Sequence, residues 1–225
     1  MTALGTLRSP AVALLTLLAL VPNLALAQKL SFGPTVGVAI STWRGADARP
    51  TPAFHAGFVG GGFVTIGIYK HFALEAQLLY ARKGMELTTT TCSFPNTCQP
   101  FTVSYTQDVI EIPFLFTLAG PTRFAPTIFA GPAVAFQTSC TFRSSGPLSV
   151  APCDTIFSGR NPVPAMRHTD AIMAFGGGFH IGPLAILARY DLGLTKFLHR
   201  QTTSFDEKTR AWLMSVGYRL SLGRR

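Results

Sequence analysis

Acidic residues are scarce in this chain. It carries 10 Asp and Glu against 19 Lys and Arg, a net charge of +9, and charged residues fill only 13% of its 225 positions. Soluble domains ordinarily hold about a quarter. Any apolar run near the roughly 20 residues that a spanning helix needs is also missing. Beyond residue 28 the longest, Ile112 to Ala119, is bounded by Glu111 and Gly120. Multi-span helical architectures are therefore excluded. A barrel is not, because its strands cross with about 9 to 11 residues each.

Motifs that carry chemistry are absent as well. No Cys-x-x-Cys occurs and no histidine lies close to a cysteine, so no metal is expected. The histidines are His55, His71, His168, His180 and His199, and none forms a His-x-Ser or lies near a Gly-x-Ser-x-Gly. His168 with Asp170 is the best acid–base candidate, but an isolated exposed pair is ordinarily inert, and no catalytic residue is expected. The triple glycines at 60–62 and 176–178 lack the helix pattern and the Lys that a phosphate loop requires. They suit a tight interior that must admit larger neighbours. No cofactor is expected.

What is present begins with an export signal. Arg8 supplies a positive region, Ala11 to Leu20 an apolar one, Pro22 a break, and Ala25-Leu26-Ala27 a small-residue cleavage site. Residues 1–27 read as a signal peptide and 28–225 as one domain. Export makes nucleic acid a poor partner for the positive charge. The four cysteines, Cys92, Cys98, Cys140 and Cys153, sit in polar stretches and read as disulfides in an exported chain. Three pairings are open, and joining sequence neighbours closes the shortest loops.

The stretch Val109 to Leu118, VIEIPFLFTL, shows the organising pattern. Ile110, Ile112, Phe114, Phe116 and Leu118 share one parity, and Glu111 lies on the other. Successive strand side chains point to opposite faces, so one face is apolar and the other holds a carboxylate. Eight such segments run through the chain: 30–42, 54–68, 72–86, 103–118, 127–137, 170–181, 184–197 and 210–222. Their connections alternate long and short, with every cysteine in a long one. Outer-membrane barrels have that rhythm.

The face opposite the apolar one collects Glu75, Gln77, Lys83, Glu111, Arg189, Asp191 and Arg219. Eight strands enclose a space just wide enough for side chains. Three carboxylates (Glu75, Glu111, Asp191) and three cations (Lys83, Arg189, Arg219) would balance there as a charge network filling the bore. The aromatics Trp43, Tyr69, Phe72, Tyr105, Tyr190, Phe197, Trp212 and Tyr218 read as two interfacial girdles. Pro113 and Pro132, inside strands, predict local bulges.

The hairpin Leu78-Leu79-Tyr80-Ala81-Arg82-Lys83-Gly84, the segment Val109-Ile110-Glu111-Ile112-Pro113 and the closing Val216-Gly217-Tyr218-Arg219-Leu220 resemble the PorT-like small outer-membrane barrels. The resemblance spans 28–225. It implies the eight-stranded architecture of OmpA and OmpX, an all-β antiparallel up-and-down transmembrane barrel in the cell outer membrane. It also implies insertion by the barrel assembly machinery. The expected role is non-enzymatic, structural or in surface interaction, for a monomer with disulfide-braced extracellular loops. The long loops carry Arg44, Arg49, Arg143, Arg160, Arg167, Arg200 and Lys208, a basic rim suited to lipopolysaccharide phosphates or acidic surface polymers. A narrow ion or solute pore and a soluble periplasmic lipocalin-like lipid carrier are the alternatives. The carrier would need its apolar face turned inward.

Overall fold

Strict alternation of apolar with small or polar side chains drives each segment into an extended strand. The computed structural model describes residues 30–44, 53–93, 97–120, 124–145, 150–153, 168–195 and 208–222. Residues 1–27, together with Asp47, Arg49, Asp154, Arg160, Arg167, Phe197, His199, Arg200, Asp206 and Glu207, lie outside them. Ten strands occur among the described residues: β1 (Leu30–Arg44), β2 (Ala53–Tyr69), β3 (Phe72–Ser93), β4 (Thr97–Ala119), β5 (Phe124–Ser144), β6 (Val150–Pro152), β7 (Thr169–Ile181), β8 (Leu184–Gly193), β9 (Lys208–Tyr218) and β10 (Leu220–Leu222).

All pairings are antiparallel, in the order β1-β2-β3-β4-β5-β7-β8-β9, and β9 returns to pair with β1. β10 continues the line of β9 past Arg219 and pairs with Leu30–Phe32 of β1. β6 lies outside this circuit, paired only with β5. The closed wall thus has eight staves. Its stagger follows from the register. Leu30 pairs with Ile66, then the path runs through Leu74, Phe116, Ala130, Phe175, Tyr190 and Trp212. It returns to β1 at Ile40, ten residues up the strand on which it began. Such an offset tilts every strand and leaves an interior that side chains can fill.

The oily parity faces out. Phe116 is 65% and Phe114 56% exposed, whereas Glu111 on the alternate parity is 0% exposed. The oily parity is thus turned away from the bore, the reverse of what a lipid carrier requires. On β3 and β4 the outward residues are apolar from Phe72 to Tyr80 and from Leu118 to Ile110, and Arg82 and Asp108 follow. That is about the length one barrel strand needs to cross hydrocarbon. The turn at Gly182-Pro183 sits at the other end, with Gly182 at φ 60°. A positive φ at the first central position suits a tight hairpin and glycine adopts it without strain.

Several sequence expectations differ from the structure. The described residues of the polar stretch 87–101 are strand rather than loop. β3 and β4 stay paired there up to Ser93 opposite Thr97, because β-branched threonines favour the extended state. β5 likewise runs on to Ser144 and takes β6 beside it. Pro113 and Pro132 produce no register shift. Around them the ladder skips pairs and resumes in the same register. The β4–β5 pair shifts instead at Asp108/Val109, where Thr138 is the extra residue, and the β2–β3 pair shifts between Phe54 and Val59 and between Gly67 and Tyr69.

A charge-filled bore as the candidate functional site

Glu111 on β4 and Lys83 on β3 point into the bore from one wall, and Arg189 and Asp191 on β8 meet them from the far wall. Lys83 Nζ pairs with Glu111 and lies 2.9 Å from Asp191 Oδ2. Arg189 Nη2 donates to Glu111 Oε2 at 2.5 Å, and Arg189 Nε reaches Asp191 Oδ1 at 2.8 Å. Two cations and two carboxylates therefore close a ring across the barrel axis, with each side chain buried. A buried charge costs several kcal/mol unless paired, and here each has two opposite partners.

The remaining expected members are placed differently. Glu75 joins through Gln77, which donates to Glu75 Oε1 at 2.6 Å and accepts from Arg189 Nη1 at 3.2 Å. Thr65 also donates to Glu75, at 2.8 Å. Arg219 stands apart: its Nη2 lies 3.3 Å from His180 Nε2, and no carboxylate comes within ion-pair distance among the described residues. It sits where β9 breaks from β10, and its backbone N–H donates to Pro183 O at 2.7 Å. Below the ring, Phe129 fills the bore opposite Gly176, where a Cβ would come 2.7 Å from the ring carbon Cζ.

Above the ring lies a polar cavity of about 40 Å³, lined in part by Lys83, Gln107, Glu111, Gln137, Asp170 and Thr195. That is room for two or three waters. Gln107 Nε2 is buried without a protein partner and lines this space. His168 and Asp170 both line it, but Asp170 is taken up by the hydroxyl and backbone N–H of Thr195.

An apolar lid covers the mouth. Trp43, Met85, Val103, Phe142 and Cys153 are buried together, with Phe101, Tyr105 and Cys140 packed against them. Trp43 and Tyr105 are therefore not girdle residues; their ring centroids lie 5.5 Å apart inside the mouth. Their parity gave the signal, since Trp43 shares the parity of Ser41 and Ala39, and Tyr105 that of Glu111. Tyr69, Phe72, Trp212 and Tyr218 are exposed on the outer wall. Cys92 is bonded to Cys98 across the β3–β4 ladder, and Cys140 to Cys153, which ties β5 to the residue after β6.

A family model described as an outer membrane protein beta-barrel domain matches residues 26–199. The chain belongs to this family. It is an outer-membrane β-barrel protein, and its location is the cell outer membrane. Three solved barrels are similar at low identity. The attachment invasion locus protein Ail of Yersinia pestis matches at 15% identity over 84% of this chain and 98% of its own, with a TM-score of 0.42. Neisserial surface protein A matches at 11% over 85% and 97%, with a TM-score of 0.45. OprG from Pseudomonas aeruginosa matches at 8% over 85% and 96%, with a TM-score of 0.42. The comparison with curated proteins gave no match.

Proposed function

We propose that this barrel is a non-enzymatic integral outer-membrane protein with a plugged bore, which presents disulfide-braced structure at the cell surface in a structural or surface-interaction role. The observation that carries this reading is the Lys83–Glu111–Arg189–Asp191 ring, which spans the bore with no member more than 6% exposed at its side chain. A hydrated ion has no path between groups in direct contact. The lid around Trp43 closes the same axis a second time. What the protein offers a partner is its outside: the β3–β4 hairpin beyond the belt, β6, and a basic rim. Lipopolysaccharide phosphates and other acidic surface polymers fit that rim, and the assembly machinery is the partner during insertion.

Planar-bilayer recording tests the plug. The purified protein is expected to give no discrete conductance steps. Steps of constant size in the wild type, altered in amplitude by Glu111→Ala, would overturn the plug in favour of a narrow pore. Mass spectra of lipid A from overexpressing cells are expected to be unchanged, and a new acylation or deacylation product would overturn the non-enzymatic reading.

A further inference from the structure

Where β1 closes on β9, the register sets Ile40 opposite Trp212, Thr42 opposite Arg210, and Arg44 opposite Lys208. Lys208 and Arg210 share the parity of Trp212, Met214 and Val216, which are exposed on the outer wall. The outer face of this seam thus passes from apolar belt to cations within one step of alternation. Arg44 and Lys208 are direct cross-strand neighbours, and Arg210 lies diagonally from Arg44. Like charges directly opposite each other destabilise a ladder. No carboxylate pairs with any of the three among the described residues, and Arg210 donates to the backbone oxygen of Gly193 at 3.3 Å.

The belt edge on the β3–β4 side is built differently. Arg82 there is matched by Asp108, which also accepts from Tyr80 at 2.7 Å and Ser139 at 2.7 Å. Among the described residues the edge of the belt is therefore electrically one-sided, neutral on one flank and triply cationic on the other. Directly beneath the cations runs an aromatic wall. Trp212 lies 4.8 Å from Tyr190, and Tyr190 5.3 Å from Phe175, across β9, β8 and β7.

We propose that Arg44, Lys208 and Arg210 dock the phosphate groups of a phosphorylated glycolipid of the outer leaflet, with its acyl chains against the Phe175–Tyr190–Trp212 wall. This rests on the reading of the chain as an outer-membrane barrel with a lipopolysaccharide-facing rim, and it assigns that contact to one seam. The placement selects a lipid over a soluble polyanion. The cations lie on the lateral wall at the depth of headgroups, whereas a soluble polymer would approach from the mouth. Two guanidinium forks match phosphate oxygens bidentately and the ammonium adds a point charge. The anion relieves the Arg44–Lys208 repulsion.

Native mass spectrometry of the full chain from micelles tests the site. The micelles are doped with bis-phosphorylated lipid A, its monophosphorylated form, or phosphatidylethanolamine. The wild type is expected to retain the bis-phosphorylated lipid best, then the monophosphorylated. Each cation near a charged lipid surface contributes about fivefold, so R44Q/K208Q/R210Q should bind on the order of 100-fold more weakly. Lys70→Gln, in the β2–β3 turn at the opposite end of the barrel, should leave retention unchanged. Equal retention by the triple variant, equal loss in Lys70→Gln, or full displacement by millimolar inorganic phosphate each overturns the inference. Heat-modifiable gel mobility is read in parallel. Its absence in the wild type overturns the barrel reading itself. If the triple variant alone loses it, Arg44→Gln decides: about fivefold weaker retention is expected, and no change overturns the site.

Discussion

Replacing Glu111 by Leu removes the acceptor common to Lys83 and Arg189 and leaves two buried cations facing Asp191 alone. Breaking a buried ion pair by deleting one partner costs about 3–5 kcal/mol, because the surviving charge is stranded in low dielectric. With a urea dependence near 2 kcal/mol per molar, the unfolding midpoint should fall by about 2 M. Unfolding in lipid vesicles, followed by tryptophan emission and by loss of heat-modifiable mobility, measures it. The informative control is Glu111→Leu with Lys83→Met. That pair keeps the ring's charge balance, leaving Arg189 with Asp191, and it replaces two ions by apolar side chains of similar volume. Such exchanges are often neutral or stabilising, so most of the loss should be recovered. A coupling of at least about 2 kcal/mol is expected from the cycle. Strict additivity, or a single variant as stable as the wild type, would refute the ring as the structure that fills the bore.

Three further outcomes follow from other parts of the wall. Phe116→Arg puts a cation on the outward face amid the belt and should cost about 2–4 kcal/mol in vesicle refolding; the same change beyond Asp108, at half-buried Ser104 on the outward parity, should cost under about 1 kcal/mol. Trp43→Ala should destabilise by about 3–5 kcal/mol, as for a large buried side chain; an interfacial residue would lose far less. Cys140→Ser with Cys153→Ser should speed quenching of Trp43 emission by a small polar quencher added on the loop side, because Cys153 packs in the lid; Cys92→Ser with Cys98→Ser should leave quenching unchanged.

The wall was legible in the sequence because closure makes one parity carry one environment. The alternation at Ile110 to Leu118, with Glu111 set against it, identifies which side is oily, and the rhythm of long and short connections supplies the stave count. The ring is only partly legible. Parity places Lys83, Glu111, Arg189 and Asp191 inside, but their common height depends on the ten-residue stagger, which no local pattern encodes. The same stagger leaves Arg219 beside His180 rather than within the ring. Parity alone sets Trp43 and Tyr105 inward, but the Phe142 side of the lid was hidden for a different reason. The extra residue Thr138 shifts the alternation of β5, so Ala133 and Ala135 face inward below it while Phe142 faces inward above it. A bulge inverts every later assignment on its strand. The prolines misled in the opposite sense, since a missing donor interrupted the ladder at Pro113 without displacing it.

The hairpin of β3 and β4 carries its disulfide far from the belt. From Arg82, level with the edge of the oily zone, the strand climbs to Cys92, roughly 25 Å at the usual rise and tilt. A cut at any peptide bond between Cys92 and Cys98 leaves the two arms covalently joined through sulfur and laddered below it. The clipped molecule would travel as one band until thiol is added, and its exposed arm would outlast the cleavage that removes an unbridged loop.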